Sequence, residues 1–265
     1  MAKRYSRSIS ERTERLMQEK NKKIDGYIVA IILLLLALGV FVFGFQYIED
    51  WVYDVWPYAV GNVAKYSLPK LTVQFLKIAV VSCVLSVVIG VGLGIFCFTK
   101  PGESFGLVIE KMSMIMQTIP AMAVLMFGLT AFGIGMKAAV FALLLQSLLP
   151  IVFATMAGLR NVPGAYIEVG KGLGMTKKQI LWKVQFPLAI PVILSGMRTA
   201  LIICIGAATL AFSTGAGGLG LLIQTGCSTY NTVYIMEGTI PICLIAILMD
   251  QILRKIEKHA YRTAG

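Results

Sequence analysis

Six apolar runs, at 27–47, 71–98, 104–132, 138–157, 188–212 and 232–253, limit what this chain can become more than any other feature. The hydrocarbon core of a bilayer is about 30 Å thick and takes roughly 20 helical residues to cross, so each run is long enough to span it. The expected fold is therefore all-α and polytopic, with about six transmembrane helices. A composition of 57% hydrophobic and 14% charged residues leaves too little polar surface for a water-soluble domain. The runs divide the chain into a basic tail at 1–26, a first helix with an external segment at 27–70, a transmembrane domain at 71–253 and a second tail at 254–265. The first run is too long for a cleaved secretory signal, and no small-residue cleavage site follows it, so it is expected to remain as an anchor. The segment at 48–70 mixes acids with Trp51 and Trp56 and is expected to lie along the outer membrane surface.

Charge sets the orientation. With the amino terminus placed in the cytoplasm, only Lys65, Lys70 and Lys137 of the 24 Lys and Arg fall outside, and Lys77 and Arg198 fall within spans. The remainder, with Lys111 counted on the inner side of its run, lie in the inner segments, as the positive-inside rule requires, with both termini cytoplasmic. The net charge of +11 is thus largely topological and gives no support to nucleic-acid binding. Five cysteines without a Cys-x-x-Cys pair offer neither a metal site nor a disulfide framework.

Between the fourth and fifth runs lies a polar, basic insert, 160–187, far longer than a loop that merely reconnects two helices. It reads as two short helices broken at Gly174. Pro163 is placed to start the first, and Gly174 to end it in a left-handed turn. Thr176 and Gln179 have the spacing of a capping box, with Met175 and Ile180 placed as a hydrophobic staple across it. Ile180, Leu181 and Val184 make one apolar face, leaving Lys177, Lys178 and Lys183 to water or an anionic surface. Such an insert is either a shaped surface for a partner or an amphipathic hairpin lying on lipid headgroups.

The order Glu168-Val169-Gly170, three residues, Gly174, nine residues, then Val184-Gln185-Phe186-Pro187 resembles the cytoplasmic motif of ABC importer permeases, Glu-Ala-Ala-x3-Gly-x9-Ile-x-Leu-Pro. The chain departs from it at Val169, Gly170, Val184 and Phe186, all small or apolar replacements. In that family the element docks into a groove on a separate ATPase. The resemblance therefore implies an ATPase-coupling role for Glu168, Gly170, Gly174, Met175, Thr176, Ile180, Val184 and Pro187. Further runs, `QTIPAMAVLMFGLTAFGIG`, `LLPIVFATMAGLRNVP`, `PLAIPVILSGMRTALI` and `IGAATLAFSTGAGGLG`, are similar to permeases of osmoprotectant importers, which take up glycine betaine, carnitine and choline. Methionine-importer permeases share much of this pattern, so methionine or another small amine is the alternative cargo.

The resemblance implies a bacterial or archaeal cytoplasmic-membrane protein that forms a pore with a second permease copy or paralogue. Its other partners would be a pair of ATPase subunits, an extracytoplasmic substrate-binding protein and the surrounding lipid bilayer. No Gly-x4-Gly-Lys-Ser/Thr phosphate loop occurs, so ATP and magnesium are expected on the partner ATPase, with no cofactor, metal or catalytic residue in this chain. A secondary transporter is the rival from another class, but it would need inverted repeats and membrane-buried carboxylates, and neither is evident.

Proline marks the candidate pathway. Pro120 and Pro150 each remove a backbone donor inside a run, and the freed carbonyls need protein or water. Interrupted helices bring polar backbone to cargo in many transporters, which makes Gln117, Thr118 and Pro120 pathway candidates, with Pro150 beside them; ordinary packing kinks are the alternative. Arg198 is an ionisable group within an apolar run. It either gates cargo or takes a structural, positive-inside role near the inner interface, the latter if its helix begins in the cytosol. Asp250 and Glu237 read as interfacial. The external `GAGGLG` at 215–220 matches a dinucleotide fingerprint only as a string, since no strand or βαβ unit surrounds it. Gly215, Gly217, Gly218 and Gly220 are expected to allow a tight re-entrant turn facing the binding protein.

Overall fold

The computed structural model describes residues 28–45, 67–99 and 102–264; the expectations for the tail at 1–26 and for most of the segment at 48–70 lie outside these residues. The helices are α1 (Ile28–Phe45), α2 (Leu68–Phe98), α3 (Glu103–Thr118), α4 (Ala121–Phe132), α5 (Met136–Arg160), α6 (Gly164–Gly172), α7 (Lys177–Ile180), α8 (Phe186–Ala208), α9 (Gly220–Thr229) and α10 (Thr232–Ala264). No strand occurs among the described residues. Among the described residues, five helical segments are long and apolar enough to cross a membrane: α1, α2, α5, the stretch Lys177–Ala208 and α10.

The run at 104–132 is not one helix. It divides into α3 and α4, because Ile119 is extended (φ −77°, ψ 125°) ahead of Pro120. The ring of a proline clashes with a helical conformation in the residue before it, and α4 starts afresh with Pro120 as its N-cap. The second expected interruption does not occur. α5 continues through Pro150 for 25 residues, packed between α2 and α8.

α5 lies between α2 and α8. Small residues let the three backbones approach. A Cβ added at Gly94 of α2 would lie 2.5 Å from Cβ of Thr155, and one at Gly196 of α8 would lie 2.0 Å from Cβ of Ala154. In a bilayer lipid is as apolar as leucine, so such close packing, rather than hydrophobic burial, drives helix association. The hydroxyl oxygens of Ser86 and Ser147 lie 2.8 Å apart between α2 and α5 in the dry interior. The main core joins Phe75, Ile78, Leu125, Leu143, Leu219, Leu222 and Ile245 from five helices and the loop before α9. α1 stays largely exposed and touches this core through Leu38, Phe41 and Phe45 near its end.

Beyond α8 the chain makes a 3-10 turn (Ala211–Thr214) and then α9, which at 10 residues is too short to span a bilayer. α9 folds back on α10, where Gly238 sits close to Ile223 and the Leu219 carbonyl. Asn231 caps α10 by accepting from the backbone N–H groups of Val233 and Tyr234, at 3.0 and 3.3 Å. Glu237, read above as interfacial, is instead buried in the first turns of α10.

Candidate functional site

The insert is held by two local caps. α6 ends at Gly172 and Gly174 takes φ +74°, the left-handed conformation that L side chains resist. The Gly174 N–H donates to the Lys171 carbonyl at 2.9 Å and the Met175 N–H to the Gly170 carbonyl at 3.0 Å, the crossed pair of a Schellman cap. Two residues later Thr176 caps α7. Its Oγ1 accepts from the Gln179 N–H at 3.3 Å, and its own N–H donates to Gln179 Oε1 at 2.8 Å, which completes the capping box.

The two helices of the insert pack across Gly170. A Cβ at that position would stand 3.3 Å from Ile180 Cγ1 and 3.6 Å from Met175 Sδ, so glycine fits where a larger residue would press on the buried Ile180. Glu168 and Gly174 remain exposed, and Val184 is half-buried. α7 is not followed by a loop. It continues through a wide π turn (Leu181–Gln185), in which the Phe186 N–H reaches back five residues to the Leu181 carbonyl, into α8. Pro187 has no N–H to give the ladder, and the wider turn sits directly before it. The second helix of the insert and the fifth span are therefore one helical rod, Lys177–Ala208, of 32 residues and about 48 Å.

At the other end of that rod the glycine loop is tied down. Gly215, Gly217 and Gly218 all take positive φ (76°, 75° and 94°). The Gly218 N–H donates to Gln74 Oε1 of α2 at 3.3 Å, and the Gly135 N–H before α5 donates to the Thr214 carbonyl at 2.7 Å. Gly220 differs from its neighbours. It is the first residue of α9, and a Cβ there would lie 1.6 Å from the Thr209 carbonyl oxygen, so it serves close approach rather than turning. Gln74 had not stood out in the sequence, although a lone amide in an apolar run is a signal for such a tether.

Of the pathway candidates, Gln117 and Thr118 form the last turn of α3, and Pro120 follows in the exposed break; the Gln117 side chain lies outside what is described. The Thr118 hydroxyl donates back to the Ile115 carbonyl at 2.7 Å, relieving one unpaired carbonyl at that helix end. Pro150 is half-buried inside α5, and its carbonyl lies 3.5 Å from where a Cβ of Gly196 would stand, so it faces packed helix. Arg198 is brought to carboxylates that sequence spacing did not pair with it. Its Nε bonds Asp250 Oδ1 at 2.5 Å, its Nη1 lies 3.6 Å from Glu257 Oε2, and Arg254 joins Asp250 at 3.1 Å.

This cluster ties α8 to α10, and with side-chain exposures of 27% for Arg198 and 18% for Asp250 it is partly withdrawn from water. Arg198→Leu is expected to destabilise the protein by about 2 kcal/mol, because two carboxylates lose a cation they were desolvated to meet. Adding Glu257→Gln should recover part of the loss. Thermal unfolding of the purified full chain checks both.

A bundle of membrane-crossing helices with a capped, basic insert running rigidly into one of them has the build of a transport-system membrane subunit. The chain belongs to the family described as binding-protein-dependent transport system inner membrane component, whose profile matches residues 86–260, and is an ABC importer permease. It is 38% identical over 187 residues to the glycine betaine/carnitine/choline transport system permease protein OpuCB of Bacillus subtilis, covering 71% of this chain and 85% of that protein. It is 42% identical over 176 residues to the carnitine transport permease protein OpuCD of Listeria monocytogenes (66% and 78% covered). It is also 37% identical over 195 residues to the osmoprotectant import permease protein OsmW of Salmonella typhimurium (72% and 90% covered). Among solved structures, a chain of the inward-facing MetNI methionine ABC transporter has the same fold, with a TM-score of 0.65 at 24% identity over 73% of this chain and 95% of that one.

Proposed function

We propose that this permease imports quaternary ammonium osmoprotectants such as glycine betaine, carnitine and choline. It acts with a second permease, the same or a paralogue, around a shared pore. Cargo arrives on an extracytoplasmic binding protein, and two ATPase subunits, which hold ATP and magnesium, sit beneath the insert on the cytoplasmic side, where both termini also lie. The cargo class is supported by the substrates for which relatives 37–42% identical over most of their length are named.

The observation that carries the coupling is the continuity of the rod Lys177–Ala208. The exposed surface around Glu168 and Gly174 docks on the ATPase, and the Schellman cap and capping box make α6 and α7 one rigid elbow. When ATP draws the ATPases together the elbow moves, the rod moves with it, and the tethered glycine loop at its far end is displaced. The exposed break at Thr118 and Pro120 lines the pathway. Arg198, engaged by Asp250 and Glu257, holds α8 against α10 during this movement instead of touching cargo.

The test is uptake of labelled glycine betaine and choline by cells that lack other osmoprotectant importers and express this permease with its genomic neighbours. Saturable uptake that stops when the ATPase is inactivated is the expected result. An inserted complex that hydrolyses ATP without accumulating either compound moves the cargo to methionine or another small amine. Uptake that ignores the ATPase and collapses with the ion gradient overturns the mechanism.

A further inference from the structure

Where the insert meets the end of α2 lies an open groove of about 640 Å³. Its floor is apolar, built by Ile95 and Phe98 from α2 and by Ile180 and Leu181 from the insert, and half-exposed Trp182 stands on its wall. Lys171, Lys177 and Lys178 ring it, and among the described residues no carboxylate pairs with any of them. Three unpaired ammonium groups around an apolar floor suit a ligand with a hydrocarbon part and an anionic head.

We propose that this groove binds an anionic phospholipid, with its phosphate among the three lysines and an acyl chain along α2. Two features favour lipid over an acidic protein surface. Ile95, Val91, Val88 and Val84 recur at helical spacing along one stripe of α2, and exposure rises away from the groove to 67% at Val88, giving a chain somewhere to lie. Trp182 beside the lysines combines the aromatic and basic residues that sit at headgroup level, and basic pockets between helices on the cytoplasmic side suit anionic headgroups. The inference rests on the reading above that places the insert at the cytoplasmic face.

Trp182 supplies the probe. Replacing Trp51 and Trp56 by Phe leaves it as the single tryptophan of the three in the full chain. That protein is reconstituted in phosphatidylcholine vesicles in which a fixed fraction of lipid, either phosphatidylglycerol or phosphatidylcholine, carries brominated acyl chains. Bromines quench a nearby indole, so brominated phosphatidylglycerol should quench Trp182 more strongly at equal mole fraction. Each Lys→Gln change should weaken that preference about fivefold, and K171Q/K177Q/K178Q should abolish it while leaving quenching by brominated phosphatidylcholine intact. Equal quenching by the two lipids in the starting protein overturns the proposal, as does a preference that survives the triple change. Loss of ATPase co-purification with no change in quenching assigns the lysines to the protein partner and overturns it too. Brominated lipid occupies both leaflets, so the quenching reads the groove whichever way the insert faces, and the uptake assay reports on the permease reading separately.

Discussion

Gly174→Asp is expected to lower uptake at least tenfold while the permease still reaches the membrane in normal amounts. Nothing lies within 4 Å of the position a Cβ would take, so steric clash is not the cause. The cost is conformational and electrostatic. At φ +74° an L side chain costs roughly 1–2 kcal/mol, and relaxing that strain undoes the crossed hydrogen bonds that close the end of α6 at the elbow. The new carboxylate also projects from the surface proposed to enter the ATPase groove. Gly174→Asn separates the two effects, since asparagine tolerates the left-handed region and adds no charge, and it should retain most uptake. Uptake of labelled glycine betaine, normalised to permease in the membrane fraction, decides the matter; unimpaired uptake by Gly174→Asp would rule out the docking role.

Gly220→Ala should be the more damaging change to the fold itself. Its Cβ would lie 1.6 Å from the Thr209 carbonyl oxygen, and both partners are backbone, so no side chain can swing aside. Forcing a methyl group into such a contact costs about 3 kcal/mol or more, because α9 must lift from the end of α8 and carry the adjoining core residues Leu219 and Leu222 with it. Gly206→Ala in α8 is the control, since no atom lies within 4 Å of its Cβ position and a helical alanine is favoured over glycine. Urea or thermal unfolding of the two variants in detergent should place Gly220→Ala far below Gly206→Ala, and equal stabilities would contradict the close-approach reading.

What could be read from the sequence was what a few neighbouring residues decide. The Schellman cap needs only Gly174 in register with Gly170 and Lys171, and the capping box only Thr176 and Gln179, so both are present where local chemistry places them. What depends on distant neighbours was not legible. Pro120 and Pro150 look alike in the sequence, yet one ends a helix and the other does not. The difference is the packing of α2 and α8 against α5, which no local window contains. Arg198 and Asp250 are 52 residues apart, and their pairing exists only because α8 and α10 lie side by side. The membrane runs were legible as lengths, but where α8 begins was not. A run of apolar residues fixes where hydrocarbon starts, whereas helical hydrogen bonding begins at Lys177 and passes that boundary without a break.

The wide turn at Leu181–Gln185 holds one residue more than an ordinary helical turn would need. In regular α geometry an extra residue would rotate everything beyond it by about 100° of azimuth, whereas the wide turn takes that residue into one larger turn. The elbow around Gly174 and the face of α8 that carries Ala189, Ile193 and Gly196 against α5 are therefore phased by this one turn. Drawing the same residues into a regular α-helix would leave both halves helical and well capped, yet point the proposed docking surface to a different side of the molecule. A chain that kept the caps and the length but lost the wide turn would present the same elbow in a different direction.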